Sequence, residues 1–176
     1  MANFDAQNTR LREPEYPGKE SVIIFSKSVV QLISPLGIKS QGNTAMRNVI
    51  RQTIVLPALA ETLFYMYLNP STHQAITGGS VEIGDERGSK FKAFNGVLTG
   101  TILEVIKPRL IIQSWRSNAF KAEDSDSTLI LSFNPEGDEG QIDLIQLDVP
   151  DHDYDGVNQG WEKYYWAPWR AYLASL

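Results

Sequence analysis

The stretch from Asn158 to Leu176 constrains this chain more than any other. Trp161, Tyr164, Tyr165, Pro168, Trp169, Tyr172, Leu173 and Leu176 follow one another at steps of three and four, so they share one face of a helix. At 1.5 Å of rise per residue the helix runs roughly 25 Å, enough to cross a sheet. Pro168 lies inside it and cannot give the bond that the carbonyl of Tyr164 expects, which predicts a kink. Trp166 falls off the shared face. It is read either as packed against a neighbouring loop or the N-terminal segment, or as a contact for a partner, since interaction hot spots are rich in tryptophan.

The sequence before this helix supplies the surface it needs. Val49 to Leu56 is rich in β-branched residues and reads as a strand, with Pro57 at a first helical position and Ala58 to Leu68 as a helix stopped by Asn69-Pro70. Ser71 to Ala75 reads as a short second helix. Strands follow over Ser80 to Ile83, Lys90 to Phe94, Val97 to Ile106, Arg109 to Ser117, Thr128 to Phe133 and Gln141 to Val149. Gly84-Asp85, Asn95-Gly96 and Lys107-Pro108 punctuate them. Leu129, Leu131 and Phe133 fall on one face, and the short connections predict an antiparallel meander. The fold class is α+β: a curved antiparallel sheet packed on one long C-terminal helix.

Residues 1–20 are polar, carry Pro14, Pro17 and Gly18, and read as an arm. Ser21 to Ile33 is apolar, and its periodicity fits a strand or a helix equally. Residues 1–48 are therefore treated as an N-terminal extension of unassigned role, and 49–176 as the domain.

Composition removes several functions. The chain has 176 residues with a net charge of -5 and no dense Lys/Arg run, so nucleic acid is not an expected partner; Lys39, Arg47 and Arg51 read as scattered surface charge. Without cysteine there is no disulfide, thiolate chemistry or cysteine zinc site. Neither a signal peptide nor an apolar run near the ~20 residues of a membrane span is read, so the expected compartment is the cytoplasm.

No P-loop, nucleophile elbow or dinucleotide fingerprint occurs. His73 reads as a solvated residue in a surface turn, and Asp85-Glu86 and Glu123-Asp124 as solubilising charge. One stretch meets a metal template: Asp151, Asp153, Asp155, Gly156 and Glu162 match a calcium loop position by position. Its context opposes the match, because a strand and Pro150 precede it where a helix is needed, and Asn158 replaces the usual apolar anchor. The working expectation is no metal, no cofactor and no catalytic residue.

Gly88-Ser89-Lys90-Phe91, Gly96-Val97-Leu98-Thr99-Gly100, Lys107-Pro108-Arg109-Leu110-Ile111, Trp115-Arg116 and Gln159 to Tyr165 stand in the order and spacing of a known domain. The set resembles the C-terminal domain of the activator of heat-shock protein 90 ATPase, within the START-like (SRPBCC) superfamily; the resemblance covers about Val49 to Leu173. It implies a helix-grip fold, also seen in the birch-pollen allergen, and a cavity between sheet and helix of the kind that holds lipids, hormones or polyketides in wider relatives. On that basis Phe64, Leu68, Trp115, Leu131, Trp161, Tyr164 and Tyr165 are the expected ligand-binding residues of a non-enzymatic module for a small hydrophobic or amphipathic ligand. The alternative it implies is a co-chaperone-like domain docking on a heat-shock protein 90 type ATPase. An enzyme of the cyclase or hydrolase type would require a buried polar cluster.

Overall fold

The computed structural model describes residues 48–176. The arm over 1–20, the apolar stretch 21–33, Lys39 and Arg47 lie outside the described residues. Six antiparallel strands form one sheet in the order β1-β6-β5-β4-β3-β2. They are β1 (Val49–Leu56), β2 (Lys90–Ala93), β3 (Leu98–Ile106), β4 (Leu110–Ser117), β5 (Ser127–Glu136) and β6 (Glu139–Leu147). From β2 to β6 each strand pairs with the next in sequence, and β1 closes the far edge on β6. A register shift between Ile102 and Glu104 in β3 adds to the bend of the sheet.

Two short helices bridge β1 and β2: α1 (Ala60–Leu68) and α2 (Pro70–Thr77). Helix α1 starts two residues later than its sequence predicts, because Pro57-Ala58 is spent turning the chain off β1. Asn69 then caps α2 by accepting from the Thr72 amide at 3.0 Å, with Pro70 at the first position. Gly78 ends α2 in the left-handed region (φ 76°), which glycine adopts without strain. Ser80 to Ile83 forms no full strand; it gives only a bridge between Glu82 and Lys92.

The C-terminal helix is one continuous body: α3 (Tyr154–Trp161), a wide π turn (Glu162–Trp166) and α4 (Ala167–Leu173). The irregularity expected at Pro168 is taken up just before it. The Ala167 amide reaches back to the carbonyl of Glu162, a π-type bond that adds one residue to the turn. That extra residue rotates Trp166 into the buried face. It is 3% exposed and stacks on Trp161 (centroids 5.4 Å apart, planes at 22°) and on Trp169 (6.4 Å, 23°). The reading of Trp166 as a partner contact is therefore overturned.

The inward faces of β1 and of β3 to β6 meet α1 and the C-terminal helix in one core. Leu129, Leu131 and Phe133 are buried as their alternation predicts, with Leu63, Phe64, Trp161 and Trp169 against them. Two of the strand glutamines that point inward hold indoles of the helix. The Gln146 side-chain oxygen accepts from the Trp161 indole at 2.8 Å, while its nitrogen donates to Ser127 Oγ at 2.9 Å. Gln52 accepts from the Trp166 indole at 2.6 Å and donates to Asn158 at 2.8 Å. Burying an indole yields about 4–6 kcal/mol gross, and its hydrogen bond about 1 kcal/mol net. Burial thus supplies the stability, and the glutamines fix the rotation of the helix.

Candidate functional site

Where the first half of the C-terminal helix crosses the β2–β3–β4 side of the sheet, the contact opens into a cleft of about 390 Å³. Strand β4 contributes Trp115 and Ser117, the tight turn after β2 contributes Phe94 and Val97, and β3 begins the wall with Leu98. The helix side is Asp153, Gly156, Val157 and Gly160, then Trp161, Tyr164 and Tyr165. Trp115, Trp161 and Tyr165 are almost fully buried and form the floor, whereas Tyr164 is 46% exposed and stands at the rim.

Space for the cleft comes from local sequence. Gly156 and Gly160 lie one turn apart on the helix face, so the wall has no side chains there. A Cβ at Gly156 would come within 2.9 Å of the Asp153 carboxylate, whereas one at Gly160 would meet only the Tyr164 ring at an ordinary 3.7 Å. At the other wall, Phe94 and Asn95 adopt positive φ (51° and 57°). This aims the Phe94 ring at Tyr164 and Tyr165, 5.9 and 5.7 Å away in edge-on contacts.

The wall behind Trp115 is braced by polar contacts. Arg116 Nη1 donates to the Asp124 carbonyl at 2.8 Å and to the Asp126 carboxylate at 3.1 Å, while Phe120 packs edge-on against Trp115. The Asp124 carboxylate accepts from the Lys121 amide at 2.6 Å and pairs with His152 Nε2 at 2.8 Å. The bond from His152 holds the Asp124 carboxyl below its ordinary value. The loop after β4 is thus tied to the turn that carries Asp153. Partial burial pushes the Asp153 carboxyl upward, and neighbouring His152 opposes that shift.

Beneath the floor lies a buried polar cluster. His73 is 2% exposed, a correction to its reading as a solvated turn residue: α2 folds back under the sheet and carries the ring inward. Its Nδ1 donates to the Tyr67 carbonyl at 2.8 Å, which leaves Nε2 to accept from the Tyr165 hydroxyl at 3.4 Å. Burial lowers the His73 pKa to about 4 against the pull of that carbonyl, so the ring is neutral near pH 7. Burial likewise raises the Tyr67 and Tyr165 phenols. Tyr67 donates to Gln113 at 3.2 Å.

The calcium template is not realised as a loop. Asp151–Asp153 forms a single tight turn and Tyr154–Trp161 is already helix, so these carboxylates are strung along helical backbone. Among the described residues no group of three or more His, Asp or Glu side chains is placed to hold a metal ion.

The family model for Activator of Hsp90 ATPase homolog 1-like proteins matches residues 57–174. The chain belongs to this family. Among curated proteins it is similar to the activator of 90 kDa heat shock protein ATPase homolog 1 of Homo sapiens (24% identical) and of Mus musculus (25%), in each case over 105 residues. Those matches cover 60% of this chain but only 31% of each relative. Among solved structures, an Hsp90 activator from Plasmodium falciparum has a TM-score of 0.66 at 20% identity, covering 72% of this chain and 96% of that one. The Aha1 dimer from Colwellia psychrerythraea has a TM-score of 0.57 at 11% identity, covering 66% and 90%. These likenesses show the fold: a START-like helix-grip, as the sequence predicts.

Of the seven residues expected to contact a ligand, Trp115, Trp161, Tyr164 and Tyr165 come together in the cleft. Phe64, Leu68 and Leu131 sit in the packed core instead, because α1 fills the concavity beside β5 and β6. Phe94, Asp153, Gly156 and Gly160 were not anticipated. The two glycines on the stripe-bearing helix were the available signal. No helix among the described residues is long and apolar enough to cross a membrane.

Proposed function

We propose that this domain is a non-enzymatic binding module that holds a small apolar or amphipathic molecule in the cleft between sheet and C-terminal helix. The observation that carries the reading is the cleft itself: about 390 Å³, lined by five aromatic rings. Ligand pockets commonly measure roughly 300–1,000 Å³ and combine an apolar lining with a few polar groups. Here Trp115, Trp161, Tyr164 and Tyr165 supply apolar area, while Ser117 and Asp153 supply polar contacts. Native mass spectrometry of the purified protein, with organic extraction, tests the reading. A bound mass that Gly160→Leu removes supports it. An empty protein that also ignores added apolar probes overturns it.

A second reading is favoured by the names of the relatives: a co-chaperone-like domain acting on a heat-shock protein 90 type ATPase in the cytoplasm. The human and mouse activators and the Plasmodium falciparum protein carry that activity in their names. With Trp166 buried, docking would use another surface. Co-precipitation with the chaperone and its ATPase rate test this, and a rate unchanged at saturating domain overturns it.

A further inference from the structure

We infer that the cleft takes an organic cation, an amine or quaternary ammonium on an apolar body, and that Asp153 selects it. This rests on the ligand-binding reading above and adds the chemistry of the ligand. Among the described residues of the lining, Asp153 is the one charged side chain, with no Lys, Arg or His beside it. Five of the other lining residues are aromatic, and the negative quadrupole of a ring attracts cations and repels anions over its face. The chain's net charge of -5 adds a field of the same sign.

Several other aspartates of the domain already hold a donor. Lys107 engages Asp85; Arg116 engages Asp126; Thr53, Asn134 and Gln141 all donate to Asp143. Asp124 has taken His152, the imidazole next to Asp153 in sequence. Among the described residues no side-chain donor bonds the Asp153 carboxylate, and His152 acts on it only through charge. Gly156 leaves the space in which that carboxylate lies, 2.9 Å from where a Cβ would stand. The molecule already shows the attraction in question at the rim: the Lys163 ammonium sits 4.8 Å from the centroid of the Tyr164 ring. Lys163 does not line the cleft, so the carboxylate inside is left for a cation from solution.

Three probes with one body and different heads test the inference: phenylbutylamine, phenylbutanol and phenylbutyrate, titrated at low salt and followed by tryptophan fluorescence. The amine is expected to bind about tenfold more tightly than the alcohol, from one carboxylate and one cation–π contact. Phenylbutyrate should be weakest. In Asp153→Asn the amine-to-alcohol ratio should fall towards one. Glu162→Gln, which removes the same charge from an exposed pair with Arg170, should leave that ratio as it was. Phenylbutyrate binding as tightly as the amine, or a ratio that survives Asp153→Asn, overturns the inference while leaving the cavity reading intact. Failure of all three probes to bind removes the cavity reading, and this inference with it.

Discussion

Around Trp166 and Trp169 the C-terminal helix is sealed against the sheet, whereas between Phe94 and Asp153 the same helix stands off and leaves a cleft. Both regions are built mainly from aromatic rings, so ring content does not decide the outcome. At the sealed end the π turn stacks Trp166 and Trp169 in line with Trp161 of the cleft floor, and Gln52 and Gln146 fix Trp166 and Trp161. At the open end two glycines remove the side chains that would have filled the gap, and the positive-φ turn holds Phe94 across it. Helical register closes one half of the interface, and missing side-chain volume opens the other.

Breaking the sealed end should have the largest effect. Trp169→Ala removes a fully buried ring and is expected to cost about 3–5 kcal/mol, read from the denaturant midpoint at constant m. A loss below 1 kcal/mol would show that this end is not the mechanical anchor.

Next comes the cluster that joins the two ends. His73 has its pKa lowered from 6.5 to about 4, so over that range the unfolded chain binds a proton that the folded chain refuses. Its contribution is fully present above pH 6.5. It is lost as pH falls towards 4, a change of about 3 kcal/mol. Unfolding free energies measured across that window should show the slope, and His73→Phe should flatten it. An unchanged slope in the variant would assign the acid sensitivity to other groups.

Gln146→Leu strands the Trp161 indole N–H and should cost about 1–3 kcal/mol, with a shifted indole resonance for Trp161. The smallest stability effect belongs to the open end. Gly160→Leu restores helix propensity worth up to about 1 kcal/mol, and its Cβ meets no clash. It should leave the fold as stable or slightly more so while abolishing probe binding, which a paired melt and titration would show. Loss of stability would mean that the space at Gly160 is not free.

Much of this was legible in the sequence, for definite reasons. Val49–Leu56 was read to the residue because β-branched composition and Pro57 bound it on both sides. The helix stripe was legible because steps of three and four leave little else. The reading failed where tertiary packing overrules a local pattern. Gln52 and Gln146 sit at inward strand positions that simple alternation assigns to apolar residues. His73 looks solvated in sequence because Asn69-Pro70 beside it signals a surface turn, yet it lies on α2, which packs its ring inward. Trp166 falls off the predicted stripe because one π-type bond, invisible to a 3.6-residue period, widens the turn and brings it onto the buried face beside Trp169. In the candidate site the rings were foreseen, but the empty space was not. Periodicity marks where side chains point, and the cleft exists where Gly156 and Gly160 carry none.

The four tryptophans divide between the two regions, Trp115 and Trp161 in the cleft and Trp166 and Trp169 at the sealed end. Fluorine NMR of fluorotryptophan-labelled protein during a phenylbutanol titration therefore reads both at once. The account predicts that the Trp115 and Trp161 signals move to saturation while Trp166 and Trp169 move much less. Four unmoved signals, or the largest shifts at Trp166 and Trp169, would contradict it.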